Sequence, residues 1–174
     1  MCSSSFLKLI MKDSQRYGGR NFIRIWLRDP RFRAVFLLRI GIELNKYSLL
    51  KRSFILRILK NRLNLKYGID TGFNLRIGSG LKIVHLGGIV IHEKTLIGNQ
   101  LTIMNNTTIG QSTSKPILPC IGNNVKIGVF SAILGEVIVE DNVIIGAHTL
   151  VIKSIKRNST VVGIPARELN KPKD

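Results

Sequence analysis

The chain has 174 residues and carries 27 Lys or Arg against 10 acidic residues, a formal net charge of +17. No stretch reaches the roughly 18 apolar residues of a membrane span, and Cys2 and Cys120 form neither a disulfide framework nor a metal-binding spacing. A membrane-spanning protein, a disulfide-stapled scaffold and a zinc module are therefore set aside, and a reducing, cytoplasmic setting is expected.

The charge is uneven. Residues 1–66 hold 16 Lys or Arg against 3 acids, whereas residues 67–174 hold 11 against 7. This split places a basic N-terminal helical segment at 1–66. The apolar run FLKLI near the start is too short and too interrupted for a secretory leader. Residues 6–16 read as a short helix ended by Gly18 and Gly19. Asp29-Pro30 is a helix-start signature, an acceptor side chain followed by Pro in the first turn. The helix that follows has Phe32, Val35, Phe36, Leu38 and Ile42 on a wide apolar face, with Arg39 on its border. A second cationic helix is expected in LLKRSFILRILKNRLNL. Three readings fit such helices: packing against each other or the rest of the chain, an interfacial pair drawn to anionic lipid, and nucleic-acid binding. The last lacks a recognition motif and a stacking platform, so no nucleic-acid partner is expected.

From Tyr67 the pattern changes. Every sixth residue from Ile97 gives Ile97, Ile103, Ile109, Lys115, Ile121, Ile127, Ile133, Val139, Ile145 and Val151. Nine of the ten are β-branched and apolar, although Ile and Val make up only 36 of 174 residues. Neither a helix near period 3.6 nor a strand at period 2 does this; a hexapeptide β-helix does. Each hexad supplies one short strand and one corner, and three hexads close a triangular coil with one β-branched residue pointing to the axis. A second row, two residues earlier, is small or β-branched: Thr95, Leu101, Thr107, Val125, Ser131, Val137, Val143 and Thr149. Gly at 98, 110, 122, 128 and 146 follows the inward residue, as a corner of positive φ or close backbone approach requires.

The fold class expected is mainly β, a left-handed parallel β-helix over 67–165 with a 166–174 tail. Between Ile89 and Ile97 the step is eight residues, which predicts a two-residue bulge near 92–95. In QSTSKPILPC the inward position holds Lys115, between Ser114 and Pro116. A lysine on that axis would be buried without a partner, so 111–120 is read as an extruded loop.

Three histidines are present. His85 lies two residues past the inward Ile83, outside the coil and beside Gly87 and Gly88. A neutral imidazole there suits a general base. Asp70, fifteen residues earlier and close to one coil away, is placed to orient the ring. His148 reads as an outward residue of a regular hexad. Cys120 offers a covalent nucleophile, with a packed thiol as the default.

The blocks YGID, IGSGLKIVHLGGIVI, IGNQLTIMNNTTIG, IGNNVKIG, GAHTLVIKSI and VVGIPAR resemble the serine acetyltransferase branch of the left-handed β-helix acyltransferases. Within that branch they resemble the O-acetyltransferases of bacterial capsule and surface polysaccharide clusters, and the stretch beginning DPRFR is similar to the segment that precedes the solenoid in that group. The resemblance implies acetyl transfer from acetyl-CoA to a hydroxyl, without a metal. It places the catalytic pair on His85 and Asp70. It also implies homotrimers with acetyl-CoA in grooves between subunits, touching Gly110, Gly128, Ala132 and Gly146, with Lys153, Gly163 and Arg167 at the nucleotide end. His92 and Asn105 are candidates for the acceptor side. The serine enzymes of this family carry an acid before the catalytic His and a second His in the extruded loop; here those positions hold Val84 and Leu118. The expected acceptor is accordingly a sugar or surface polysaccharide, with cytoplasmic location and peripheral contact at the inner membrane face. Serine O-acetylation and a non-catalytic, polyanion-binding scaffold are the alternatives.

Overall fold

A computed structural model describes residues 3–19, 21–47, 52–112 and 117–169. Four helices precede the solenoid: α1 (Ser3–Gln15), α2 (Phe22–Arg28), α3 (Pro30–Leu44) and α4 (Arg52–Tyr67). The Asp29 carboxylate caps α3 by accepting from the Arg31 N–H at 2.8 Å, and Pro30 opens the helix. Helix α2 arises from NFIRIWLR, which carries no periodic apolar signal long enough to announce it. Its start is fixed by Asn21, whose side chain accepts from the N–H groups of Ile23 and Arg24.

The remainder is a parallel β-solenoid of about four turns. Its strands are β1 (Ile69–Thr71), β2 (Arg76–Ile77), β3 (Lys82–Ile83), β4 (Ile89–Ile91), β5 (Leu96–Ile97), β6 (Thr102–Ile103), β7 (Thr108–Gly110), β8 (Cys120–Ile121), β9 (Lys126–Ile127), β10 (Ala132–Leu134), β11 (Ile138–Val139), β12 (Ile144–Ile145), β13 (Leu150–Val151), β14 (Thr160–Val162) and β15 (Arg167–Glu168). They form three faces: β1-β4-β7-β10-β13, β2-β5-β8-β11, and β3-β6-β9-β12-β14-β15. All pairings between these strands are parallel except β14 with β15. The inward rows stack as one core, with Ile109, Ile133, Val139 and Val151 fully buried. Thr95, Thr107, Ser131 and Thr149 of the second row are buried as well.

Register relocates the bulge. Thr71 stands beside Ile91 and Ile69 beside Ile89, a 20-residue coil, whereas Ile91 to Ile109 is 18. The two extra residues therefore lie between Ile83 and Ile89, at the corner bearing His85, and not near 92–95. Ile89 misleads because it belongs to the second row yet happens to fall six residues after Ile83. The next coil measures 24 residues from Leu96 to Cys120, so the extrusion adds six. Cys120 itself is in β8 and Pro119 is buried, which ends the loop before Pro119; Lys115 lies outside the described residues. At the other end, Arg167 and Glu168 are not free tail but pair with β14.

Of the hexad glycines, Gly98, Gly122, Gly128 and Gly146 serve close approach rather than positive φ, whereas a Cβ on Gly110 would meet nothing within 4 Å. A Cβ on Gly98 or Gly128 would come within 2.7 Å or less of the next coil's backbone. The left-handed corner positions are held instead by Gln100, Asn106, Asn124, Phe130, Asn142, His148 and Asn158. Asn is among the residues that tolerate that region, and here Asn124, Asn142 and Asn158 also bond side chain to side chain at 3.0 Å, a ladder down one corner.

Helices and solenoid are joined by polar clamps. Arg39, expected at the border of its helix, is only 3% exposed. It donates to Asp13 at 2.8 Å and to the carbonyls of Ile77 and Gly78, while Asp13 accepts from the N–H groups of Gly80 and Leu81. The pair thus satisfies itself and caps the open backbone of one solenoid corner.

Candidate active site

His85 is exposed on the enlarged corner between β3 and β4. The corner is braced from two sides. Its outer end stacks on neighbouring coils: the Gly87 N–H donates to the Tyr67 carbonyl, and the Gly87 carbonyl accepts from Asn106. A Cβ on Gly68 would lie 2.7 Å from the Gly87 Cα, so the junction from α4 requires glycine. Its inner end is gripped by the helices. The Tyr17 hydroxyl accepts from the Ile83 N–H at 2.7 Å, and the Arg31 guanidinium donates to the Val84 carbonyl at 3.2 Å. Burial, opposed in part by the Ile83 hydrogen bond, pushes the Tyr17 phenol up, so it remains protonated. Asp29 holds Arg31 through contacts of 2.6 and 2.9 Å. Burial works to raise the Asp29 carboxyl, but the Arg31 hydrogen bonds outweigh it and hold it below its ordinary value. Sequence spacing could not reveal this brace, because its partners lie 53 and 66 residues apart.

Asp70 is exposed on β1, one coil from Val90. No hydrogen bond joins it to His85. It instead shares a cleft of about 360 Å³ with Lys60, His92, Glu93, Thr108 and Gly110. The chain thus brings the second proposed catalytic residue beside His92, an acceptor-side candidate, and Gly110, a cofactor-side candidate. The His92 Nδ1 accepts from the Lys94 N–H at 3.2 Å, which fixes the ring at the next corner.

The other candidates are spread over the coil: Asn105, Gly128 and Gly146 follow strands of the third face, Ala132 is on the first, and Lys153 and Arg167 lie near the C-terminal end. Asn105 occupies the corner following β6, where its carbonyl accepts from the Phe130 N–H. Gly128 and Gly146 stack tightly on neighbouring coils, and Ala132 sits on β10 between Thr108 and Leu150. His148 stacks on Phe130, rings 5.0 Å apart and 7° from parallel, an exposed aromatic pair that the hexad pattern alone does not disclose. Lys153 and Arg167 line a cleft of about 480 Å³ together with Lys156, and Gly163 lies nearby at φ +96°. Glu168 lines the same cleft and Lys156 is paired with Glu140, which leaves Lys153 and Arg167 as the cations suited to phosphate. Cys120 is exposed on β8, on a different face from the strands that flank His85. No cluster of metal-ligating side chains occurs among the described residues.

The chain is a parallel coil built on hexads, and residues 121–153 match the bacterial transferase hexapeptide (six repeats) family. A serine acetyltransferase of Helicobacter pylori strain J99 is 34% identical over 157 residues, covering 88% of this chain and 90% of the relative. On that likeness the chain belongs to the serine acetyltransferase family, left-handed β-helix proteins. A serine acetyltransferase of Buchnera aphidicola is 36% identical over 128 residues, 72% of this chain. The chain spans only 49% of that relative's length. Among solved structures, soybean serine acetyltransferase complexed with serine superposes with a TM-score of 0.84 at 26% identity, over 95% of this chain and 70% of the other. A serine acetyltransferase complex with CoA superposes with a TM-score of 0.82 at 26% identity, over the same shares.

Proposed function

We propose that this chain is an acetyl-CoA-dependent O-acetyltransferase in which His85 is the general base. The observation that carries the reading is the His85 corner: an exposed imidazole on the one corner enlarged by two residues, braced by Tyr17 and Arg31. The Nε2 or Nδ1 lone pair takes the acceptor's hydroxyl proton as the acceptor oxygen bonds to the acetyl carbonyl carbon. The C–S bond breaks, and the departing thiolate recovers the proton from the imidazolium. Asp70 would support that charged ring once the site is assembled, and a backbone N–H near Gly110 would stabilise the oxyanion. Acetyl-CoA supplies the activated thioester; Gly110, Gly128, Ala132 and Gly146 would lie along it, and Lys153, Gly163 and Arg167 at its phosphates. Because Asp70 and His85 are not bonded within one chain, completion of the site in a homotrimer groove is part of the proposal.

The relatives favour serine as acceptor over a polysaccharide. A sugar hydroxyl is the second reading, and Val84 favours it: the residue before His85 offers no carboxylate to an amino acid's ammonium. Peripheral contact with anionic lipid draws support from exposed Ile23, Trp26 and Leu27 on α2 and Phe54, Ile58 and Leu65 on α4, set among Arg and Lys; no described helix is long and apolar enough to cross a membrane.

Thiol release from acetyl-CoA, measured with serine and with sugars, tests the reading. His85→Ala should lower turnover by roughly 10²- to 10⁴-fold with the circular dichroism of the folded protein kept. A folded variant with undiminished release would refute the assignment.

A further inference from the structure

Beside the His85 corner, where the turn after α1 meets α2 and the start of α3, lies a cleft of about 840 Å³. Its lining includes Tyr17, Asn21, Arg24, Arg28, Asp29 and Arg31. Two of these are already committed: Asp29 is paired with Arg31, and Arg31 reaches the Val84 carbonyl, one residue before His85. Arg24 and Arg28 stand four residues apart on α2, both exposed, and among the described residues neither is paired with a carboxylate. The cleft therefore presents two uncompensated guanidinium groups, and a single guanidinium links its wall to the backbone of the catalytic corner.

We propose that this cleft is an acceptor-side anion site that takes the phosphate or diphosphate of a phosphorylated sugar while the sugar hydroxyl reaches His85. The inference rests on the acetyl-transfer reading and narrows its acceptor. Guanidinium forks match phosphate oxygens in geometry as well as charge, and the volume lies within the usual range for small-molecule sites. An amino-acid acceptor fits less well. Val84 offers no carboxylate, and the one carboxylate lining the cleft, on Asp29, is paired with Arg31, so an ammonium would find no free anionic partner there. A phosphorylated acceptor reverses that balance.

Binding to the cleft is read by isothermal titration calorimetry. The full chain is titrated with inorganic pyrophosphate and with UDP-glucose. A saturable change is expected with both, weakening as salt rises, and unaltered by His85→Ala. In the Arg24→Gln/Arg28→Gln variant the affinity should fall about tenfold to a hundredfold, since each lost charge-assisted bond is worth up to roughly one decade. Acetyl transfer to UDP-glucose should show the same rise in acceptor KM, with the KM for acetyl-CoA unmoved. Equal affinity in the variant, no saturation at millimolar pyrophosphate, or a signal produced only by phosphatidylglycerol vesicles would overturn the site. Transfer to serine without pyrophosphate binding would remove this site and leave the transferase standing; pyrophosphate binding without any His85-dependent transfer would do the reverse.

Discussion

The solenoid and the helical region are held by opposite strategies. Within the solenoid each coil pairs with the coils on either side, and the inward Ile and Val residues form a continuous dry column. The helices contribute few residues to that column, chiefly Ala34, Val35, Leu38, Leu63 and Tyr67, and keep a second small cluster around Ile10, Ile25 and Phe32. What fastens them to the coil is polar and long-range: Asp13 with Arg39, Arg16 with Gln100 and Thr102, Tyr17 with Ile83, Arg31 with Val84. A repeating lattice tolerates variation because every coil offers the same contacts. A clamp fails at one residue. The proposed site sits where the two meet, so its base stands on a rigid wall while its orientation depends on the clamped helices.

The sharpest way to break this contrast is Asp13→Ala, which strands the buried Arg39 guanidinium. It should cost about 3–5 kcal/mol, the typical penalty for removing one partner of a buried pair. Hydrogen exchange should show α1 and α3 opening while the β-strands from β5 onward stay protected; uniform loss of protection across both regions would mean the clamp is not what separates them. Within the lattice, Ile109→Val removes one methyl from a fully buried stack and should cost about 0.5–1.5 kcal/mol. Its effect should be confined to the coils of β4 and β10, read as thermal unfolding plus exchange.

The smallest effect is on the brace itself. Asp29 titrates below its ordinary value because Arg31 hydrogen-bonds its charged form, so folding releases protons from this group. Its stabilisation is complete above the unfolded value near 4 and is lost as pH falls toward the lower folded value. Exchange at Ile83 and Val84 should accelerate over that acid window in the native chain, and Asp29→Asn should flatten the dependence. A slope unchanged by Asn would assign the acid effect elsewhere.

Much of this was readable in advance, for a physical reason. A six-residue period with β-branched residues has one economical solution, and the inward column from Ile97 to Val151 follows it, with the extrusion between Ile109 and Ile121. His85 is visible as an imidazole that the lattice cannot absorb. The misplaced bulge shows the limit: two apolar rows run in parallel, and Ile89 satisfies either one, so only strand pairing separates them. Helix α2 carries too few turns for periodicity to register, and Arg39 looks like a border cation until its buried partner is known.

The chain's own residues decided the coil, its three faces and the outward position of His85, because side-chain volume and β-branching act locally and repeat. Tertiary packing alone decided where the extra two residues fall, and that Arg31, which lines one cleft with Arg24 and Arg28, reaches the carbonyl next to residue 85. Those outcomes depend on groups distant in sequence meeting in space, and no local pattern encodes that meeting.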